Sequence, residues 1–110
     1  MDVLDTLERD NEGYLLDPSL WSQAIAERMA IEENIQLSHD HWLIINFIRD
    51  YYESNQTVPE TRYALKHLTT SLGSEQGTRR YLYSLFPYGY GQQACKIAGM
   101  RKPLKLMLDV

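Results

Sequence analysis

Residues 39–54, HDHWLIINFIRDYYES, constrain the fold of this chain more than any other stretch. The centre, WLIINFIRDYY, is apolar around most of a helical circumference. Only Asn46, Arg49, Asp50 and Glu53 interrupt it, as a polar stripe at spacings of three and four. A helix this apolar has to be covered on most of its sides. It predicts the buried central element of a helical bundle, with Ser38 as its N-cap. The rest of the chain must supply the cover.

The flanking segments read as that cover. Asp17-Pro18 suits an N-cap followed by a first helical position. Leu20, Trp21, Ala24, Ile25, Arg28 and Met29 then keep the 3.6-residue period, which predicts a helix running to about Glu33. After the turn Gln56–Pro59, Ala64, Leu65, Leu68 and Leu72 form an apolar stripe opposite Arg62, Lys66 and Thr69. Gly73–Gly77 breaks that pattern, and Thr78–Phe86 resumes it with Arg79 and Arg80 at its start. A last short helix is expected over Gln92–Ala98, stopped by Gly99 as its C-terminal glycine. The N-terminal stretch reads differently. Val3–Leu7 and Tyr14–Leu16 are short apolar pieces on either side of the polar run Glu8–Gly13, which predicts a small β-hairpin lying on the helices. The expected class is therefore α+β and mostly helical: a hairpin or meander on about five helices, with a helix-turn-helix-like portion. Arg101-Lys102-Pro103 leads into an extended C-terminal arm, in which Leu104, Leu106 and Leu108 alternate with Lys105, Met107 and Asp109.

A length of 110 residues is that of one domain, taken here as 1–110 with 99–110 as the arm. No apolar run approaches the roughly 20 residues of a membrane span. The acidic N-terminus lacks the basic start and apolar stretch of a signal peptide, so a cytoplasmic protein is expected. The net charge of −4 conceals an asymmetry. Residues 1–55 carry twelve acidic and three basic side chains, a net of −9, whereas residues 56–110 carry three acidic and eight basic ones, a net of +5. A basic half can meet a nucleic acid, an anionic substrate or an acidic protein, or it can simply complement the acidic half of its own chain. The helix-turn-helix outline with a basic outer face makes DNA a candidate partner, though a less favoured one, since such outlines are common in small helical proteins.

Chemistry is sparse. His39 and His41 flank Asp40, but residues two apart point away from each other on a helix, so no metal site is expected. The loop Pro87-Tyr88-Gly89-Tyr90-Gly91 has no Gly-Lys-Ser/Thr after it and no dinucleotide fingerprint, so no cofactor is expected either. What remains is Cys95, the only cysteine. One cysteine forms no internal disulfide, which suits a reducing compartment and leaves a thiol for chemistry. Lys96 adjoins it, and Arg101 and Lys102 reach it if the arm folds back, so positive charge is expected to favour the thiolate. Arg80 joins these as a residue for a partner. No His or carboxylate forms a triad with Cys95, which points away from hydrolysis and leaves a thiol that carries a persulfide, a mixed disulfide or an adduct. A stand-alone enzyme is the least supported class.

The segment Arg80–Pro103, RYLYSLFPYGYGQQACKIAGMRKP, resembles the C-terminal signature of the DsrC/TusE family of sulfur-relay proteins. The likeness extends upstream to Gly13-Tyr14-Leu15, Asp17-Pro18, Trp21, Leu37-Ser38, His41-Trp42, Ile48–Tyr52 and Pro59. It implies a β-meander or hairpin on a helical bundle with a C-terminal arm. It also implies sulfur trafficking: sulfur accepted from upstream carriers and passed to a sulfite-reductase-type or tRNA-thiolating enzyme. Two-cysteine family members hold one cysteine in the Ala-Cys-Lys-Ile-Ala-Gly segment, which Cys95 matches, and a second eleven positions on, where this chain has Leu106. The tRNA-thiolation members keep that second cysteine. Arg101 likewise stands where the family pattern has proline. The resemblance thus implies a carrier thiol at Cys95 without the arm disulfide, or else a regulatory or partner-binding paralogue that has lost sulfur transfer.

Overall fold

The computed structural model describes residues 3–103; the stretch 104–110, with Leu104, Leu106 and Leu108, lies outside the described residues. Two 3-10 turns, Val3–Thr6 and Pro18–Leu20, precede four α-helices: α1 (Gln23–Glu32), α2 (His39–Asn55), α3 (Thr61–Leu72) and α4 (Arg79–Leu85). A fifth helical element, Tyr90–Cys95, has π geometry and runs on as a short helical turn to Ile97.

α2 is the centre. Ile44, Ile45 and Ile48 are fully buried, and α2 packs against both α3 and the π turn. Its start is closed by a reciprocal cap. The Ser38 hydroxyl accepts from the His41 N–H, while His41 Nδ1 accepts from the Ser38 N–H at 3.1 Å. The ring's other nitrogen donates to the Leu85 carbonyl at 2.8 Å, which ties α2 to the end of α4. Burial holds the His41 pKa below the ordinary histidine value, so the ring is neutral. Arg49, placed by its spacing in the polar stripe of α2, does not serve solvent. Its Nη1 donates to the carbonyls of Pro18 at 3.0 Å and Ala98 at 3.1 Å, and its guanidinium lies 4.6 Å from the centre of the Trp21 ring.

The expected hairpin is absent, and among the described residues there is no strand: the domain is all-helical. Val3–Thr6 winds into a 3-10 turn whose Leu4 is buried. One antiparallel bridge, Arg9 to Leu15, is all that remains of pairing. The reason lies at Asp10. Its carboxylate accepts from the N–H groups of Glu12 and Tyr14, both at 2.9 Å, and closes a tight turn. Only Asp10 N–H to Tyr14 O and Leu16 N–H to Glu8 O cross it. Pro18, with no N–H to give, then ends any ladder. Arg9 fastens this turn to α1 through Glu32, at 2.6 Å.

The helix expected from Pro18 is also divided. Pro18–Leu20 makes only a 3-10 turn, and Trp21 is extended (φ −67, ψ 147) because its indole N–H reaches the Ile97 carbonyl at 2.8 Å. The helix proper restarts behind a new cap, Ser22.

Candidate functional site: the Tyr90–Met100 segment

The segment carrying Cys95 is heavily enclosed. Tyr90, Gly91 and the run Gln93–Met100, apart from half-buried Lys96, are buried. Gly99 (φ +80) ends the helical turn. The Met100 N–H bonds back to Cys95 O and the Gly99 N–H to Lys96 O, each at 3.0 Å, a glycine-terminated Schellman closure. Trp21 and Arg49 grip the far side by donating to Ile97 O and Ala98 O. A side chain at position 99 would strike Trp21, which packs directly against this glycine.

Cys95 has no exposed surface. Burial pushes its thiol well above the ordinary cysteine pKa, and the single opposing influence is that of the Tyr90 hydroxyl. That hydroxyl in turn donates to the Pro59 carbonyl at 2.8 Å. The cations that the sequence offered as thiolate partners do not converge on the sulfur. Lys96 Nζ pairs with Glu33 at 3.1 Å, with both side chains largely covered (14% and 20% exposed), and lies 5.6 Å over the Tyr14 ring. Lys102 pairs with Glu12 at 2.6 Å on the surface. Arg101 is exposed at the base of the arm, and Arg80 is exposed on α4. Glu33 also accepts from the buried Gln93 amide, and Gln93 Oε1 accepts from the Tyr88 N–H. Acidic residues of the first half thus meet cations of the second, which absorbs part of the charge asymmetry within the chain.

Beside the segment lies a polar cleft of about 230 Å³ lined by Glu12, Tyr14, Glu33, Tyr88, Gln92 and Lys96. Cys95 does not line it. Tyr14 donates to Gly91 O at 3.0 Å, and burial raises its pKa to about 12. Among the described residues, no helix is long and apolar enough to cross a membrane.

Sequence reading missed Tyr90, Trp21 and Arg49 as residues of this site. Tyr90 stands five positions before Cys95, a spacing that places two side chains about 140° apart on an α-helix. In the π turn they come together. The glycines on either side of Tyr90 were the only local signal.

Among the described residues the fold is an all-helical domain that encloses its cysteine in a segment closed by Gly99. The chain belongs to the DsrC family: the family model described as DsrC like protein matches residues 4–107. Sulfurtransferase TusE of Escherichia coli (strain K12) is 46% identical over 99 residues, covering 90% of this chain and 91% of that protein. Among solved structures, the oxidized gamma-subunit of the dissimilatory sulfite reductase (DsrC) from Archaeoglobus fulgidus matches with a TM-score of 0.82 and 34% identity. That match covers 88% of this chain and 89% of that one. Allochromatium vinosum DsrC matches at 0.79 and 46%, covering 89% and 88%.

Proposed function

We propose that this chain is a sulfur-relay protein of the cytoplasm that carries sulfur as a persulfide on Cys95 and delivers it by docking with a sulfurtransferase or sulfite-reductase-type enzyme. The observation that carries this reading is the match to sulfurtransferase TusE at 46% identity across nearly the whole domain. Covalent sulfane sulfur is held on cysteine, and Cys95 is the only cysteine of this chain. The transfer is thiol exchange. The Cys95 thiolate attacks the terminal sulfur of a donor persulfide, a new Sγ–S bond forms, the donor's S–S bond breaks, and the donor leaves as a thiolate that takes up the proton Cys95 gave up. No net oxidation occurs.

The burial of Cys95 sets a condition on this chemistry: the 90–100 segment has to come away from α2 before a donor can reach the sulfur. The domain with its arm from residue 99 acts as one unit. Exposed Arg80, Arg101 and Lys102 serve the partner's surface, and Lys96 becomes available to it once Glu33 is released.

Mass spectrometry after incubation with a persulfide donor tests the reading. The expected product is a chain heavier by one sulfur atom, mapped to Cys95, and absent from Cys95→Ser. A chain that stays unmodified while sulfurtransferase TusE is persulfidated alongside overturns it.

A further inference from the structure

We infer that the groove between α2 and α3 is a docking site for a protein partner: it takes an apolar helical segment with carboxylates along one edge. The inference adds a surface to the relay reading and does not depend on Cys95, so the two can fail separately.

The central helix is apolar around most of its circumference, and the fold does not cover all of it. α2 packs on α3 and on the π turn, which takes Ile44, Ile45 and Ile48 fully out of water. Phe47 and Tyr51 are left half-buried. They form one wall of a groove of about 300 Å³, whose other wall is Tyr63, Lys66, His67 and Thr70 of α3. Its surface is almost wholly apolar, unlike that of the polar cleft beside Cys95. Ring contacts fix the walls. Phe47 stacks on His67 with centroids 4.6 Å apart, and Tyr51 stacks on Tyr63 at 6.0 Å. An apolar groove whose walls are already set costs little ordering to fill.

Length and charge say what fills it. Thr70 stands seven positions after Tyr63, about 10 Å along a helix. That is the span of side chains at i, i+3, i+4 and i+7, the anchors by which an amphipathic helix lies in a groove. The rim on α3 is basic. Lys66 is exposed and, among the described residues, meets no carboxylate. Arg62, one turn earlier, lies 4.9 Å over the Tyr63 ring and pairs with Glu60 at 3.1 Å. No carboxylate is among the residues that line the groove, and exposed Asp50 precedes Tyr51 on the α2 side. An occupant with acidic residues toward α3 and none toward α2 therefore complements the rim. A nucleic acid fits less well. It needs open ring faces and a row of cations for its phosphates, whereas these rings stack on one another and Arg62 is already paired.

The test is a titration of the full chain, followed by NMR, with synthetic amphipathic peptides about four turns long. One carries leucines at the anchor spacings and glutamates along one edge. The other carries lysines in place of the glutamates, and no sulfur donor is present. The acidic peptide is expected to shift the resonances of Phe47, Tyr51, Tyr63, Lys66 and His67, and to bind about tenfold more tightly than the basic one. Tyr63→Ala is expected to weaken it about tenfold, and Lys66→Glu to reverse the preference between the two peptides. Both side chains are exposed, so the fold tolerates either change. Ile31→Ala, which removes an apolar side chain 61% exposed on α1, is expected to change nothing. Shifts scattered away from the groove, equal binding of the two peptides, or indifference to Lys66→Glu overturns the inference. So does a single-stranded oligonucleotide that moves the same resonances more strongly than the acidic peptide, which makes the groove a nucleic-acid face. A chain that sediments as a dimer until Tyr63 is replaced overturns it too, by making a second copy the occupant. A chain that binds the acidic peptide as expected but accepts no persulfide refutes the relay reading and leaves the docking site standing.

Discussion

Gly99→Ala should be among the most damaging single-atom additions to this chain, and its cost can be worked from the geometry. Gly99 sits at φ +80, where an L side chain is strained by about 1–3 kcal/mol. A Cβ built there would stand 2.7 Å from both Cβ and Cγ of Trp21 and nearer still to Cδ1, well inside the ~3.5–4.0 Å of ordinary carbon contact. Trp21 has nowhere easy to go, since its indole N–H is bonded to Ile97 O and its ring lies under the Arg49 guanidinium. Relieving the overlap costs about 1–3 kcal/mol, and a lost indole hydrogen bond adds about 1 kcal/mol. The total of about 3–7 kcal/mol is a large part of the 5–15 kcal/mol that holds an ordinary domain together. Gly73→Ala supplies the control. Gly73 has φ +104 but open space around it, so it pays the backbone strain alone. Urea unfolding followed by the fluorescence of Trp21 and Trp42 compares the two. Gly99→Ala is expected to lose at least about 2 kcal/mol more than Gly73→Ala, a difference assigned to the collision with Trp21. Equal losses would refute the packing argument and with it the view of Trp21 as the clasp on this glycine.

Two further outcomes follow from the same contacts. The His41 pKa is depressed by burial, so its contribution to stability is complete above the unfolded-state value near 6.5 and is lost as pH falls from there toward the lower folded value. In that window the unfolding free energy of the native chain, measured in urea, should fall with a limiting slope of about 1.4 kcal/mol per pH unit. His41→Gln should be less stable at neutral pH but flatter across the window; an unchanged slope would assign the acid sensitivity elsewhere. Arg49→Met should cost about 2–4 kcal/mol by leaving the Pro18 and Ala98 carbonyls without their charged donor. It should also speed alkylation of Cys95 at every pH, a rise that would be missing if Arg49 did not help hold the segment shut.

The N-terminal turn shows why local pattern misled. Val3–Leu7 and Tyr14–Leu16 have strand-like apolar character, but each is too short to build a ladder, and the Asp10 carboxylate offers the backbone a better set of bonds than a second strand would. Leu4 and Leu15 still reach the core; they do so from turns. Arg49 shows the converse. Spacing alone placed it in the polar stripe of α2, and nothing in α2 announces that two carbonyls from distant segments, Pro18 and Ala98, converge on it.

What the sequence determined by itself was the helical framework and the family. A stretch as apolar as WLIINFIRDYY has to be central, since no other arrangement removes so much of its circumference from water. The signature through Ala-Cys-Lys-Ile-Ala-Gly is likewise legible without coordinates. The state of Cys95 was decided only by the tertiary structure. Neighbouring cations in the sequence promised an activated thiolate, but Lys96 and Lys102 are claimed by Glu33 and Glu12, residues from the other half of the chain. The π turn seats the sulfur in the core beside Tyr90. Charge acts through distance and burial, and for residues far apart in the chain neither can be read along a sequence.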